Sequence, residues 1–392
     1  MSKSTAKKSY SSMAQSGLTP GKIALLVFLF LTFMLFLSIY LFLKFYTPTI
    51  KVESSNENIW DILGWEMEPV TDADGLPNWN ATDSDNPLRK GCYGFLIVGK
   101  DYVGWNTDTM MYVMLDTQED KISVIQFPRD TYINSSYAGH RLNGVLSNGR
   151  NAATNQGRNK DEATILGMRA LSETVRMTFG VPVNYYVFVD VKAFTDLVDI
   201  VDGVEVYVPF HMKYDDPYQN LYIDLPKGLT LLNGDKAQQF VRFRQTNPEY
   251  KRLGYQDYPR ADIDRLDAQK TFLTALMKKL AAINLTNFSK IRDLVNVAVQ
   301  NITTDIKAVD MLAFAKEILQ VRPENIRMFT AQGEWNGNVG YYSLYKRENI
   351  DIINNYINPY ENIIPDDKFN IVEWSRTYAY LADTEGVTMG EK

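Results

Sequence analysis

The stretch from Phe95 to Asp130 constrains the rest of the chain. It reads FLIVGKDYVGWNTDTMMYVMLDTQEDKISVIQFPRD. Three apolar runs of strand length lie in or beside it: Tyr93–Val98, Thr109–Leu115 and Ile122–Phe127. Short apolar runs bounded by turn signals read as buried strands. Such strands must pair, so a sheet is expected at the centre. Charged residues stand at the ends of the runs. Asp101 follows the first, Asp108 precedes the second, and Arg129 and Asp130 follow the third. Carboxylates and an arginine at the ends of adjacent strands are what a metal-plus-phosphate site needs.

Downstream, helical and strand patterns alternate. Glu162–Phe179 is expected to be a helix stopped by Gly180, with Pro182 beyond. Tyr185–Asp190 reads as a strand. Phe194, Leu197, Val198 and Val201 follow at helical spacing, and Val204–Val208 is a further strand. This order suggests parallel α/β packing. Asn233 is a suitable N-cap for a helix that runs into Val241-Arg242-Phe243-Arg244. Asp262–Leu280 is expected to be helical, as are Phe288–Val299 and Ala308–Leu319, with a strand at Ile326–Phe329. Tyr132–Asp161, rich in Asn, Gly and Ser, reads as a long loop, and long loops tend to be functional. The expected fold class is α/β: a central mixed β-sheet flanked by helices on both faces, behind one N-terminal transmembrane helix.

That last element comes from Ile23–Leu43, an unbroken run of apolar and small residues. At about 1.5 Å per residue it spans roughly the 30 Å of a bilayer core. Lys3, Lys7, Lys8 and Lys22 precede it, and the flank after it turns acidic by Glu53 and Glu57. The positive-inside rule then places the N-terminus in the cytoplasm and the remainder outside. A cleaved signal peptide is the rival reading, but the run is longer than such a core and no small-x-small site follows. The expected organisation is a cytoplasmic tail (1–22), a transmembrane helix (23–46), an extracytoplasmic spacer (47–92), a large extracytoplasmic domain (93–362) and a C-terminal tail (363–392). Within the spacer a short helix is expected near Ile59–Leu63. Cys92 is the sole cysteine, so no intrachain disulfide forms. A net charge of −6 argues against a nucleic-acid-binding surface.

The chemistry available is narrow. The sequence has no GxSxG, P-loop, HExxH or GxGxxG, and only two histidines, His140 and His211. What it offers is carboxylates and arginines. Arg242 and Arg244 alternate with Val241 and Phe243, which in extended geometry puts both guanidinium groups on one face. Arg265 and Gln269 are spaced i, i+4 on one helix face. Several forked arginines match the oxygens of a phosphate or diphosphate. Asp101 and Asp108 supply the hard oxygen ligands Mg²⁺ takes. A single charge of this kind is ordinarily a surface ion pair; the set together points to function.

These blocks resemble the LytR-CpsA-Psr family of Gram-positive cell-wall proteins, from about Gly94 to about Pro359. Gly99-Lys100-Asp101 and Thr107-Asp108-Thr109-Met110 match its first aspartate block, and Phe127-Pro128-Arg129-Asp130-Thr131 its PRDT block. Arg141-Leu142-Asn143 looks like its (K/R)-I-N loop. Gly180-Val181-Pro182-Val183-Asn184-Tyr185-Tyr186 resembles its helix-to-strand joint, and Asp202-Gly203-Val204-Glu205-Val206 its following turn and strand. Leu232-Asn233-Gly234-Asp235-Lys236-Ala237 leads into Val241–Arg244, and Arg265 with Gln269 fits R-x-x-R-Q.

The resemblance implies a membrane-anchored extracytoplasmic phosphotransferase. It would move a glycopolymer (teichoic acid, capsule or another secondary wall polysaccharide) from an undecaprenyl-pyrophosphate carrier to peptidoglycan, with an apolar pocket for the lipid. Asp101 and Asp108 would hold Mg²⁺, with Mn²⁺ as the other candidate. Arg129, Arg242, Arg244, Arg265 and Gln269 would bind the pyrophosphate. Arg129, Asp108 and Asp130 would carry the catalysis, one of the carboxylates accepting the acceptor hydroxyl's proton or Asp130 orienting Arg129. The chain departs from the family at Asn106 and Ala268, where the family has arginines, and at Gly144, where it has histidine. Two other readings stay open: a polyprenyl-pyrophosphate phosphatase on the same site, and a non-catalytic surface protein that binds wall polymer.

Overall fold

The computed structural model describes residues 59–65, 86–100, 105, 107–135, 138–260, 262–283, 302–337 and 339–373, with single or short positions at 34, 46, 48, 290, 292–294 and 296–297. These residues, from 59 onward, belong to one compact unit, Thr49–Lys392. All but Met34 of the expected transmembrane run and half of Phe288–Val299 lie outside the described residues. Among the described residues no helix is long and apolar enough to cross a membrane.

In chain order the main elements are α1 (Ile59–Leu63), β1 (Cys92–Lys100), β2 (Thr107–Asp116), β3 (Lys121–Phe127), α2 (Val145–Asn155), α3 (Lys160–Phe179), β4 (Tyr185–Val189), α4 (Val191–Ile200), β5 (Val204–Val208), β6 (Met212–Asp216), β7 (Leu221–Leu225), β8 (Gly228–Leu232), α5 (Gly234–Arg242), α6 (Pro248–Arg252), α7 (Asp262–Ala281), β9 (Ile302–Thr304), α8 (Ala308–Ile318), β10 (Ile326–Thr330), β11 (Gly333–Asn336), β12 (Tyr341–Leu344) and α9 (Lys346–Ile352). Among the described residues, three α-helix starts carry side-chain caps. Asn159 accepts from Asp161 and Glu162 N–H, Asp190 from Ala193 N–H, and Asn233 from Lys236 N–H. Gly180 ends α3 at φ 67°, a left-handed conformation natural to glycine.

Six strands form the central sheet in the order β10-β3-β2-β1-β4-β9. The β1–β2 and β2–β3 pairs are antiparallel, whereas β4 pairs parallel with β1 and β10 parallel with β3. The sheet is mixed, and β1, β3, β4 and β10 all run the same way. Their carboxyl ends therefore share one edge with the start of β2. Alternation along the strands sends Leu96, Val98, Met110, Tyr112, Ile125, Phe127, Tyr186 and Phe188 to one face, where they pack with α2 and α3. Phe95, Met111, Leu115, Ile122, Val124 and Tyr185 go to the other, against Phe314 of α8 and Leu273 and Met277 of α7. Burial on both faces explains why these strands read as continuous apolar runs.

Three expectations are corrected. The stretch Tyr132–Asp161 is not a long loop: a 3₁₀ turn at Leu142–Gly144 leads directly into α2. Leu142, Val145, Leu146 and Ala153 are fully buried, whereas Ser147 and Asn148 are half-buried and Asn151 is exposed. Helix α2 sits close on α3 because Gly149 faces Gly167, where an added Cβ on Gly149 would lie 3.0 Å from the Gly167 Cα. Second, the middle of the chain does not continue a parallel sheet. Strand β5 pairs antiparallel with β8 in a separate ribbon, beside a second ribbon of β6 and β7. Their inner faces form another apolar core with α4, α5 and α7. Third, Arg242 is the last residue of α5, so it does not alternate in an extended strand with Arg244.

The short helix expected near Ile59–Leu63 forms, and Ile59, Trp60 and Leu63 are buried in the main core. At the other end Ile364, Phe369 and Ile371 join the same core. Cys92 is buried, and burial with Asp116 beside it pushes its thiol up to about 12.

Candidate active site

Arg129 and Asp130 leave β3 in a tight turn. The Thr131 N–H and hydroxyl both donate to the Pro128 carbonyl, at 3.1 and 2.6 Å. The turn is then held from two sides. The Asp130 carbonyl accepts from Tyr342 N–H of β12 at 2.9 Å, and the Arg129 carbonyl from Asn143 N–H at 3.1 Å. Backbone satisfied in this way leaves the two side chains little freedom of position.

Asp108 reaches the same point from β2. Gly99 pairs with Thr109 but Lys100 pairs with Thr107, so Asp108 is the extra residue of a β-bulge. A bulge re-aims a side chain that regular alternation would place elsewhere. Arg129 Nη1 donates to Asp108 Oδ1 at 2.7 Å, and its Nε lies 3.3 Å from Asp130 Oδ2. Asn143 Nδ2 donates to Asp130 Oδ1 at 3.4 Å, with Arg141 Nη1 4.0 Å from the same oxygen. One arginine thus bridges two carboxylates at the carboxyl-end edge of the sheet, the position where α/β folds receive ligands. All three side chains are partly open to solvent.

The helix-borne residues sit on the opposite face. Gln269 of α7 is 5% exposed and Arg265, one turn earlier, is 3% exposed. Gln126 Nε2, on β3, donates to Gln269 Oε1 at 2.7 Å, and Gln269 Nε2 donates to the Val241 carbonyl at 2.9 Å. A single buried amide therefore ties α7 to β3, three residues before Arg129, and to the end of α5, one residue before Arg242. The Tyr258 hydroxyl lies near Arg265: burial and Asp264 push its phenol far up, and Arg265 pulls the other way.

Arg242 Nη2 donates to Gln219 Oε1 at 2.8 Å, and Gln219 Nε2 to Asp216 Oδ2 at 2.9 Å. Phe243 is buried with extended backbone, and Arg244 beyond it is exposed. Tyr214 of β6 lies within the field of both arginines. Burial and Asp216 raise its phenol, while Arg244 and Arg242 oppose that shift.

The structure therefore brings Asp108, Arg129 and Asp130 into direct contact and joins Gln269 to the neighbourhoods of Arg129 and Arg242. Asp101 and Asn106 lie outside the described residues. Among the described residues no three His, Cys, Asp or Glu side chains converge as a ready metal cage. The histidines stand apart from this cluster's hydrogen bonds: His211 pairs with Asp224 at 2.7 Å, and His140 stacks on Tyr132. Sequence reasoning gave Gln126 no part and marked Asn143 only as a member of the Arg141-Leu142-Asn143 block. Gln126 carried a signal, as the lone amide in the apolar run Ile122–Phe127.

A mixed sheet with helices on both faces and a carboxylate–arginine cluster at its carboxyl-end edge defines an α/β domain with a charged site where such folds receive ligands. The chain belongs to the LytR_cpsA_psr family, whose model matches residues 74–357. It is 27% identical over 236 residues to the cell wall biosynthesis protein LcpA of Corynebacterium glutamicum, covering 57% of this chain and 42% of LcpA. It is 28% identical over 252 residues to TagV of Bacillus subtilis, a polyisoprenyl-teichoic acid–peptidoglycan teichoic acid transferase, covering 61% of this chain and 57% of TagV. The matched segment thus spans about half the length of these curated relatives. The crystal structure of protein gbs0355 from Streptococcus agalactiae shares the fold, with a TM-score of 0.56 at 18% identity over 74% of this chain and 95% of that one.

Proposed function

We propose that this chain is a membrane-anchored, extracytoplasmic phosphotransferase that moves a wall glycopolymer from an undecaprenyl-pyrophosphate carrier to a peptidoglycan hydroxyl. The observation that carries the reading is the Asp108–Arg129–Asp130 cluster at the sheet edge, in a chain of this family. TagV and TagU of Bacillus subtilis, both polyisoprenyl-teichoic acid–peptidoglycan teichoic acid transferases, support the substrate class.

The acceptor's hydroxyl oxygen attacks the phosphorus next to the glycan, the bridging P–O bond breaks, and polyprenyl phosphate leaves. Such a step asks the protein mainly to position groups and to neutralise charge on the phosphoryl and leaving oxygens. Arg129 is the guanidinium placed for this, and it exchanges its carboxylates for phosphate oxygens when substrate enters. Arg242, Arg244, Arg265 and Gln269 complete the pyrophosphate site in this reading. Asp130 has one oxygen near Arg129 and the other near Asn143 and Arg141, so it orients Arg129. Asp108 gives Arg129 one oxygen, which leaves the other for a cation or for the acceptor's proton.

The donor set fits Mg²⁺, which takes one or two carboxylates and completes its shell with water and substrate phosphate. Asp108 would hold it together with Asp101, and Mn²⁺ takes the same oxygens. When bound, the cation neutralises pyrophosphate charge. The apolar run Ile23–Leu43 supports the anchor and the location outside the membrane.

The test uses the full chain in detergent with a polyprenyl-pyrophosphate-linked glycan, Mg²⁺ and peptidoglycan oligomers. The expected product is a phosphodiester-linked glycan–peptidoglycan conjugate, together with polyprenyl phosphate. Released glycan phosphate without conjugate would instead identify a phosphatase, and no turnover a binding protein.

A further inference from the structure

Arg150 of α2 is a buried cation to which the site as described gives no task. It is 8% exposed. Its Nε donates to Thr164 Oγ1 at 3.1 Å, and its guanidinium carbon lies 3.3 Å from the Trp105 ring centroid. The Thr164 hydroxyl gives its own proton to the Lys160 carbonyl at 2.8 Å, so it meets Arg150 as an acceptor. Trp105 in turn stacks on Phe188, with centroids 6.0 Å apart and rings 12° from parallel. Gly167 leaves room for the arginine stem, since an added Cβ there would lie 3.0 Å from the Arg150 Cγ. Neither of these partners is a carboxylate, and burial alone lowers the guanidinium pKa. A buried charge is normally compensated by a counter-ion. A hydroxyl and an aromatic face offset only part of that cost.

The place of this cation in the fold supplies the missing half. Phe188 is one residue from the carboxyl end of β4, and Trp105 stands three residues before Asp108. Strand β1 alone separates β4 from β2. At about 4.8 Å per strand, the stack lies about 10 Å along the same sheet edge from the start of β2. It is also on the α2 face, the side from which Asn143 reaches Asp130.

We propose that Arg150, with Trp105 as its platform, is a second anion-binding point of this site and takes a phosphate of the substrate. The inference rests on the phosphotransferase reading. In that reading Arg129 handles the reacting phosphoryl group, and Arg150 sets where a neighbouring phosphate lies. It therefore governs substrate affinity more than turnover.

The experiment uses the full chain in detergent and measures binding of inorganic pyrophosphate and, separately, of a glycerol-phosphate oligomer. Measurements are made well below the melting temperature of each variant. Arg150→Met keeps the length and removes the charge. It is expected to weaken binding of at least one probe about tenfold while leaving the melting temperature equal or higher, because an uncompensated buried charge is gone. Which probe is affected tells whether Arg150 meets the diphosphate or a phosphate further along the polymer. Arg150→Lys should recover part of the loss. Should Arg150→Met not fold, Trp105→Leu replaces it, with an expected three- to tenfold loss from removal of the platform. Unchanged affinity for both probes in the folded variant overturns the proposal and makes Arg150 a strut for Trp105. Arg129→Ala is the control. If it weakens binding and Arg150→Met does not, this inference alone fails. If the wild-type chain binds neither probe, the phosphotransferase reading fails with it.

Discussion

The two halves of the candidate site are built on different principles. The strand-borne half, Asp108, Arg129 and Asp130, consists of charges that face one another across partly open space. The helix-borne half is organised by amides: Gln269 joins Gln126 to the end of α5 from within the core, and Gln219 holds Arg242. Ion pairs in reach of solvent contribute little to folding and exchange partners readily. A buried amide bonded at both ends, as Gln269 is, contributes through what its loss would leave unsatisfied, and Gln126, whose own Oε1 meets no partner, depends on it for its one bond. The first half thus leaves its charges able to change partners, and the second holds the end of α5 against α7 and β3.

The largest effect should come from the strand-borne half. Arg129→Ala is expected to lower glycan transfer by about 10²–10³-fold, the usual loss when one preorganised charge-stabilising donor is removed. The melting temperature should move by no more than about 2 °C, because an open ion pair is worth only about 0–1 kcal/mol. Transfer assays beside thermal unfolding check this. A variant that unfolds early while folded molecules keep their turnover would reverse the roles assigned to the two halves.

Gln269→Leu should do the opposite. It strands the Gln126 amide and the Val241 carbonyl in the interior, at a cost of about 2–3 kcal/mol. For a domain of this size that corresponds to roughly 4–6 °C in melting temperature. Transfer at 25 °C should fall by about tenfold, through misplacement of the α5 end. Unfolding by heat and by urea should agree on the loss. A stability equal to wild type would show that the amide network does not hold these elements together.

The sequence shows the first half more clearly than the second, for physical reasons. Strands β1 to β3 are covered on both faces, so their apolar runs stand out, and the charges at their ends mark the sheet edge. The bulge at Asp108 leaves no mark, because it is a property of the pairing and not of one strand. Helix α2 hides for another reason. Its few buried residues are spread among Asn, Ser and Gly, and it is held by the close approach of Gly149 to Gly167 rather than by its own propensity. The partner of β5 is β8, more than twenty residues on, and a strand's own alternation does not tell in which direction it pairs. Arg242 and Arg244 were legible as a pair of cations. Their geometry was not, since the place where α5 ends depends on Phe243 entering the second core.

That pair gives the finest test of the comparison. Arg242 is partly buried and held by Gln219, whereas Arg244 is exposed, yet both act on the Tyr214 phenol. If holding a guanidinium in place is what the amide-built half contributes, the two should differ although they carry the same charge. Arg244→Ala is expected to lower transfer only about threefold, within the range of a solvated charge, and to leave the melting temperature unchanged. Its effect should shrink further as salt rises from 0.05 to about 0.5 M, since exposed charges are screened over about 10 Å or less. Arg242→Ala should cost more, and its deficit should persist in high salt, because a held and partly buried guanidinium is screened less. Steady-state transfer rates across a salt series separate the two. Parallel salt curves for both variants would mean that Gln219 confers no advantage on Arg242, and that the arginines at the end of α5 act as a diffuse positive field.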